Sequence, residues 1–99
     1  MGEVSRAEIA KQEYWKSKVQ NARAVLMTAT DELRVIDEQI QQKHNNPLLA
    51  QTPEVAAELS VLEAKRQQIE QSVVSARKVL LVDIPQQAKK EGIPPKWLQ

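Results

Sequence analysis

Apolar residues recur along the first half of the chain at Trp15, Val19, Ala22, Leu26, Ala29, Leu33, Ile36 and Ile40, in alternating steps of four and three. The second half repeats the rhythm at Val55, Leu59, Leu62, Arg66, Ile69, Val73, Ala76 and Leu80, with one polar member. That spacing gathers each set on one stripe of a helix, as in the seam of a coiled coil. Gly and Pro occur only at positions 2, 47, 53, 85, 92, 94 and 95, which leaves two long stretches free of helix breakers. The pattern predicts an all-α chain, a long antiparallel two-helix coiled-coil hairpin.

The ends of the helices carry their own signals. Ser5-Arg6-Ala7-Glu8 has the spacing of a capping box and starts helix 1 near residue 6. Lys43 and His44 suit the negative end of that helix, and Asn45-Asn46-Pro47 stops it. Thr52-Pro53-Glu54 reads as the N-cap, N1 proline and first-turn acid of helix 2. Lys89-Lys90-Glu91-Gly92-Ile93 is the matching stop, with cations in the last turn, Gly at C′ and an apolar C″ residue. The chain therefore reads as helix 1 over about 6–44, a loop over 45–52, helix 2 over about 53–91 and a Pro-rich tail over 92–99. Pro85 lacks the amide that would bond to Leu81 and crowds that carbonyl, so it is expected to kink helix 2 or end its regular part.

Folding the chain at the 45–52 loop faces Ile40 with Val55, Leu33 with Leu62, Ala29 with Arg66 and Trp15 with Leu80. Every facing pair then has residue numbers totalling 95. Glu32 would lie near Lys65 and Arg23 near Glu70, and Gly92 and Ala88 would lie beside Glu3 and Ala7. A single seam returns about 1.5 to 3 kcal/mol per large buried side chain, against roughly 1 to 2 kcal/mol of entropy per ordered residue. A lone hairpin is short of core. Val25, Val35, Val61, Val74, Val79, Leu81, Val82 and Ile84 lie off the seam, and the expected remedy is a homodimer forming a four-helix bundle.

Composition agrees with helix: 56 of the 99 residues are Ala, Gln, Glu, Lys, Leu or Arg, and there is no Phe. Fourteen Lys and Arg against 13 Asp and Glu give no strong field for nucleic acid, so no nucleic-acid partner is expected. The absence of Cys excludes disulfides, thiolate metal sites and thiol catalysis. No apolar run approaches the ~18 residues of a transmembrane segment. Met1-Gly2 opens no signal-peptide core and fails the myristoylation pattern at Arg6; it equally suits a segment cut from a longer chain.

Candidate chemistry is sparse. His44 is the only histidine and suits a helix C-terminus better than a metal site. Asp31, Glu32, Asp37 and Glu38 are interleaved with Arg34 and lack the Glu-x-x-His pair of diiron bundles, so a solvated face is expected. Arg66 reads as a register-setting or snorkelling arginine. Lys11, Lys16, Lys18, Arg23, Arg77 and Lys78 make the open end mildly basic without interleaved aromatics. No phosphate loop, catalytic triad or nucleophile elbow is present, so neither an enzyme nor a cofactor is expected.

The residues singled out for interaction or anchoring are Trp15, Leu81, Pro94, Pro95, Trp97 and Leu98. Tyr14 and Trp15 with Leu80, Leu81 and Val82 should cap the core at the open end. A tail reversed at Gly92 and stiffened by Pro94-Pro95 should return Trp97 to the neighbourhood of Glu13, beside Ile9, Tyr14 and Ile84.

The tail Ala88-Lys89-Lys90-Glu91-Gly92-Ile93-Pro94-Pro95-Lys96-Trp97-Leu98-Gln99 resembles the ending of a group of uncharacterised bacterial helical hairpins, which close on Ala-Arg-Arg-x-Gly-Val-Pro-Pro-Gly-Trp-Leu-Arg. Glu13-Tyr14-Trp15-Lys16 is similar to the way those hairpins open. Lys96, Gln99 and Pro85 depart from the pattern. The resemblance implies an exported or periplasmic chain, one domain of a longer protein, with no catalytic residues to carry over; without it a cytoplasmic location is expected. Type VII secretion substrates carry Trp-x-Gly at the bend, where this chain has His44-Asn45-Asn46-Pro47, and type III needle subunits are echoed only by Pro47 and Pro53. The expected function is a non-catalytic protein-interaction or oligomerisation module with an unidentified protein partner; the alternative is an envelope or secretion-related structural subunit that assembles further.

Overall fold

A computed structural model describes residues 5–99 of the chain. The expectations that involve Met1-Gly2 and Glu3 lie outside the described residues. Helix α1 spans Arg6–His44, α2 spans Pro47–Ala50, α3 spans Pro53–Lys78 and α4 spans Ile84–Lys90, with a π-helical turn at Val79–Asp83 and a 3-10 turn at Pro95–Leu98. There is no strand among the described residues. The molecule is an elongated antiparallel helical hairpin of 74 × 20 × 15 Å.

The caps form as their chemistry dictates. Ser5 Oγ accepts the Glu8 amide at 3.1 Å, and Thr52 Oγ1 accepts the Val55 amide at 3.3 Å. At the far end Gly92 takes φ 69°, and the Ile93 and Gly92 amides bond back to the carbonyls of Ala88 and Lys89 at 2.8 and 3.2 Å. Those two bonds are the Schellman closure, and they bring buried Ile93 against buried Ala88. All sixteen seam positions are buried or half-buried, Arg66 among them. Among the described residues no polar or charged residue is buried.

The loop departs from expectation. Asn46 caps a further helical turn by accepting the Leu49 amide at 3.4 Å, with Pro47 at the first position, where its missing amide costs nothing. This turn carries the chain onward before it reverses at Gln51 and Thr52. The reversal point therefore moves outward, and the register slides by about one heptad from the one the seam suggested.

Contacts between the arms record the slide. Lys43 pairs with Glu58, Asp37 with Arg66, and Lys18 donates to Gln87 Oε1 at 2.7 Å. Their residue numbers total 101, 103 and 105, the last raised by one because Gln87 lies beyond the π turn at Val79–Asp83, so facing positions before that turn total about 102 rather than 95. The expected pairings of Ala29 with Arg66 and of Arg23 with Glu70 are corrected accordingly. Glu32 and Lys65 do line one groove, without forming an ion pair. A heptad seam is blind to such a slide, because displacement by seven residues again sets apolar on apolar. Volume does not choose either, since small faces large in both registers: Ala22 with Val73 and Val19 with Ala76 in the one, Ala22 with Leu80 and Leu26 with Ala76 in the other.

The π turn resets the phase once more. The Ile84 amide bonds to the carbonyl of Val79, five residues back, which inserts one extra residue into the helix. Seam positions after Leu80 thereby become Ile84 and Ala88, both 2% exposed, instead of Asp83 and Gln87. Pro85 follows directly, so the expected interruption of helix 2 takes the form of a wider turn upstream of the proline. Ala88 packs in the cluster around Trp15, not against Ala7 as expected.

Candidate interaction surfaces

The open end of the hairpin is the one place where three layers of chain meet. Trp15, Val19 and Ala22 of α1, Ile84 and Ala88 of α4 and Ile93 of the tail form a single buried cluster, with Leu80, Trp97 and Leu98 packed against it. Trp15 is 1% exposed. Tyr14 meets its ring edge-on at a centroid distance of 5.7 Å, and the Lys18 ammonium sits 5.1 Å from the Trp15 ring and 5.6 Å from that of Tyr14. With its bond to Gln87, Lys18 is a clip that fixes α4 beside α1.

Of the residues expected to anchor or interact, Trp15, Trp97 and Leu98 meet in this cluster, and Pro94 is half-buried beside them. Pro95 is exposed and opens the 3-10 turn that presents Trp97. Leu81 is left out, exposed on the π turn beside the seam residue Leu80, while the inserted residue aims Ile84 inward in place of Asp83. Trp97 does return to α1, and of its expected neighbours it meets Ile84. Ile9 and Tyr14 stay exposed, and the tryptophan rests on the cluster of Trp15, Ile84 and Ile93. The cue for Ile93 was the C″ position itself, which commonly carries an apolar contact to C3.

Toward the loop the hairpin is only two helices thick, and its long faces differ. One face holds Arg66 bonded to both Asp37 and Glu70, and Arg34 paired with Glu38 at 2.9 Å. The hydrogen bond that Arg66 donates to Asp37 raises the Arg66 pKa above its ordinary value against the opposing effect of desolvation, so this guanidinium remains a cation. Arg66 thus reaches across the seam to Asp37, two turns along α1 from Ala29. The other face carries shallow grooves whose walls include Val25, Val35 and Val61.

The other candidates stay apart from one another. His44 is exposed at the end of α1. Asp31 and Glu32 lie on the grooved face, away from Asp37 and Glu38, and among the described residues no group of three His, Cys, Asp or Glu is placed to hold a metal ion. Of the basic residues, Lys18 is engaged as above and Lys78 lies 4.0 Å from Asp83. No helix of the described residues is long and apolar enough to cross a membrane. No protein-family model, curated protein or solved structure matches the chain.

Proposed function

We propose that this chain is a non-catalytic interaction and oligomerisation module, a stiff antiparallel hairpin that associates with a second copy, most simply as a four-helix bundle. The observation that carries this reading is the contrast between the two ends. Where the tail adds a third layer, Trp15, Val19, Ile84 and Ile93 are buried. Where only two helices meet, Ala29, Ile36 and Val73 are buried, but Leu33, Ile40, Val55, Leu59, Leu62 and Ile69 are only half-buried on the same seam, and Val25, Val35 and Val61 are exposed beside it. Two helices shield one stripe each; a further layer completes the burial that this sequence provides for. The mutual neutralisation of charge along the arms leaves no concentrated field to name a nucleic acid or anionic surface as the partner.

Sedimentation equilibrium over a wide range of concentration tests the reading. A species that doubles the 11.2 kDa chain mass and stops there is expected. Growth past the dimer would identify a subunit that assembles further, and a monomer at every concentration would overturn self-association.

A further inference from the structure

Three grooves on the hairpin share walls, and their lining shows which face a second copy can use. The groove near the loop has a volume of about 780 Å³ and includes Val61, Leu62 and Gln39. Gln39 also lines the next groove, beside Val35, and Thr28 and Glu32 join that one to a third beside Val25. Together they make one continuous trough over the half-exposed seam, following α1 from Val25 to Asn46. The opposite face is grooved too, beside Arg66, but Ile40 and Ala64 are the only apolar residues among its walls, the rest being the ion-paired Asp37, Arg66 and Glu70 with Glu63 and Gln67.

We infer that the second copy docks on this valine-lined trough, with Val35 and Val61 as its apolar contacts and Glu32 of each copy meeting Lys65 of the other. The inference rests on the reading of the chain as a self-associating hairpin and specifies the face. Three observations favour it. Covering the opposite face would strip water from the paired network of Arg66, Asp37, Glu70, Arg34 and Glu38, whereas the trough holds one satisfied pair, Lys43 with Glu58, and three further charges, Asp31, Glu32 and Lys65, among apolar and neutral walls. Glu32 and Lys65 rim the trough with opposite charge and form no ion pair within the chain, so a two-fold axis in this face gives each a partner. The trough follows some 30 Å of helix on a molecule 20 Å wide. That is on the order of 600 Å² in projection, before side-chain relief is added, against the ~800 Å² per partner of a standard interface.

The test measures the dimer dissociation constant of the full chain by sedimentation, with helical circular dichroism as the check on folding. Val35→Lys and Val61→Lys are expected to weaken association by about tenfold or more each, whereas Met27→Lys and Val74→Lys, exposed outside the trough, should stay within about threefold. Glu32→Lys should weaken the dimer, and adding Lys65→Glu should restore it. A dimer that survives both trough substitutions, or that the outside substitutions weaken equally, overturns the choice of face while leaving self-association standing. A charge swap that fails to restore the dimer overturns the Glu32 to Lys65 contact. A wild-type chain that stays monomeric removes both readings together.

Discussion

The Ile84 amide donates to the carbonyl of Val79, not to that of Leu80, and this single displaced bond sets the phase of everything that follows in the chain. It turns Ile84 inward and Asp83 out to solvent. It also aims Ala88, and through the Schellman closure Ile93, at Trp15. The energetic weight of the open end should therefore fall on residues that an unbroken α-helix would leave outside.

Ile84→Ala is expected to cost about 2 to 4 kcal/mol in urea-induced unfolding, as for a fully buried branched side chain, while Asp83→Ala should stay within about 0.5 kcal/mol. The reverse order would mean that the helix passes through 79–83 without the extra residue.

The heptad slide is tested by cysteine pairs in a chain that has no cysteine of its own. Leu33→Cys with Ile69→Cys should close a disulfide within one chain under mild oxidation. Leu33→Cys with Leu62→Cys should not, since the observed register separates them by seven residues, about 10 Å along the axis. Faster closure of the second pair would restore the register in which facing numbers total 95.

Gly92 offers a test of backbone conformation free of crowding, because a Cβ built there meets nothing within 4 Å while φ stands at +69°. Gly92→Ala should destabilise by about 1 to 2 kcal/mol through the left-handed backbone alone, and Gly92→Asn by less, since its side chain tolerates that region. On a domain of this size the alanine variant should melt roughly 4 to 16 °C lower. Equal melting temperatures for all three would show that the closure does not hold the tail.

Removal of Ile93 to Gln99 takes one buried and two partly buried apolar side chains off the Trp15 cluster. The truncated chain should lose on the order of 3 kcal/mol. Trp15 emission should shift to the red as its ring meets water. An unchanged melting curve with unchanged Trp15 emission would mean that the tail adds no burial there.

The features legible along the chain are those that bonds between near neighbours settle. Ser5, Thr52 and Gly92 cap their helices as read, the α1 limits of 6 and 44 follow from their caps, and the seam positions are the covered ones, because a helix terminus or stripe depends on residues within about four of one another. The heptad pattern could not choose between registers one repeat apart, since both lay apolar residues on apolar residues. That choice came from the three-dimensional fit: the extra turn at Pro47–Ala50 and the reach of Arg66 to Asp37. The same holds for the inserted residue at 79–83. Pro85 foretold an interruption, but only packing against Trp15 and Val19 decided that it would be a π turn that brings Ile84 inward, because a side chain's burial is set by the neighbours it meets across the fold and not by its place in the chain.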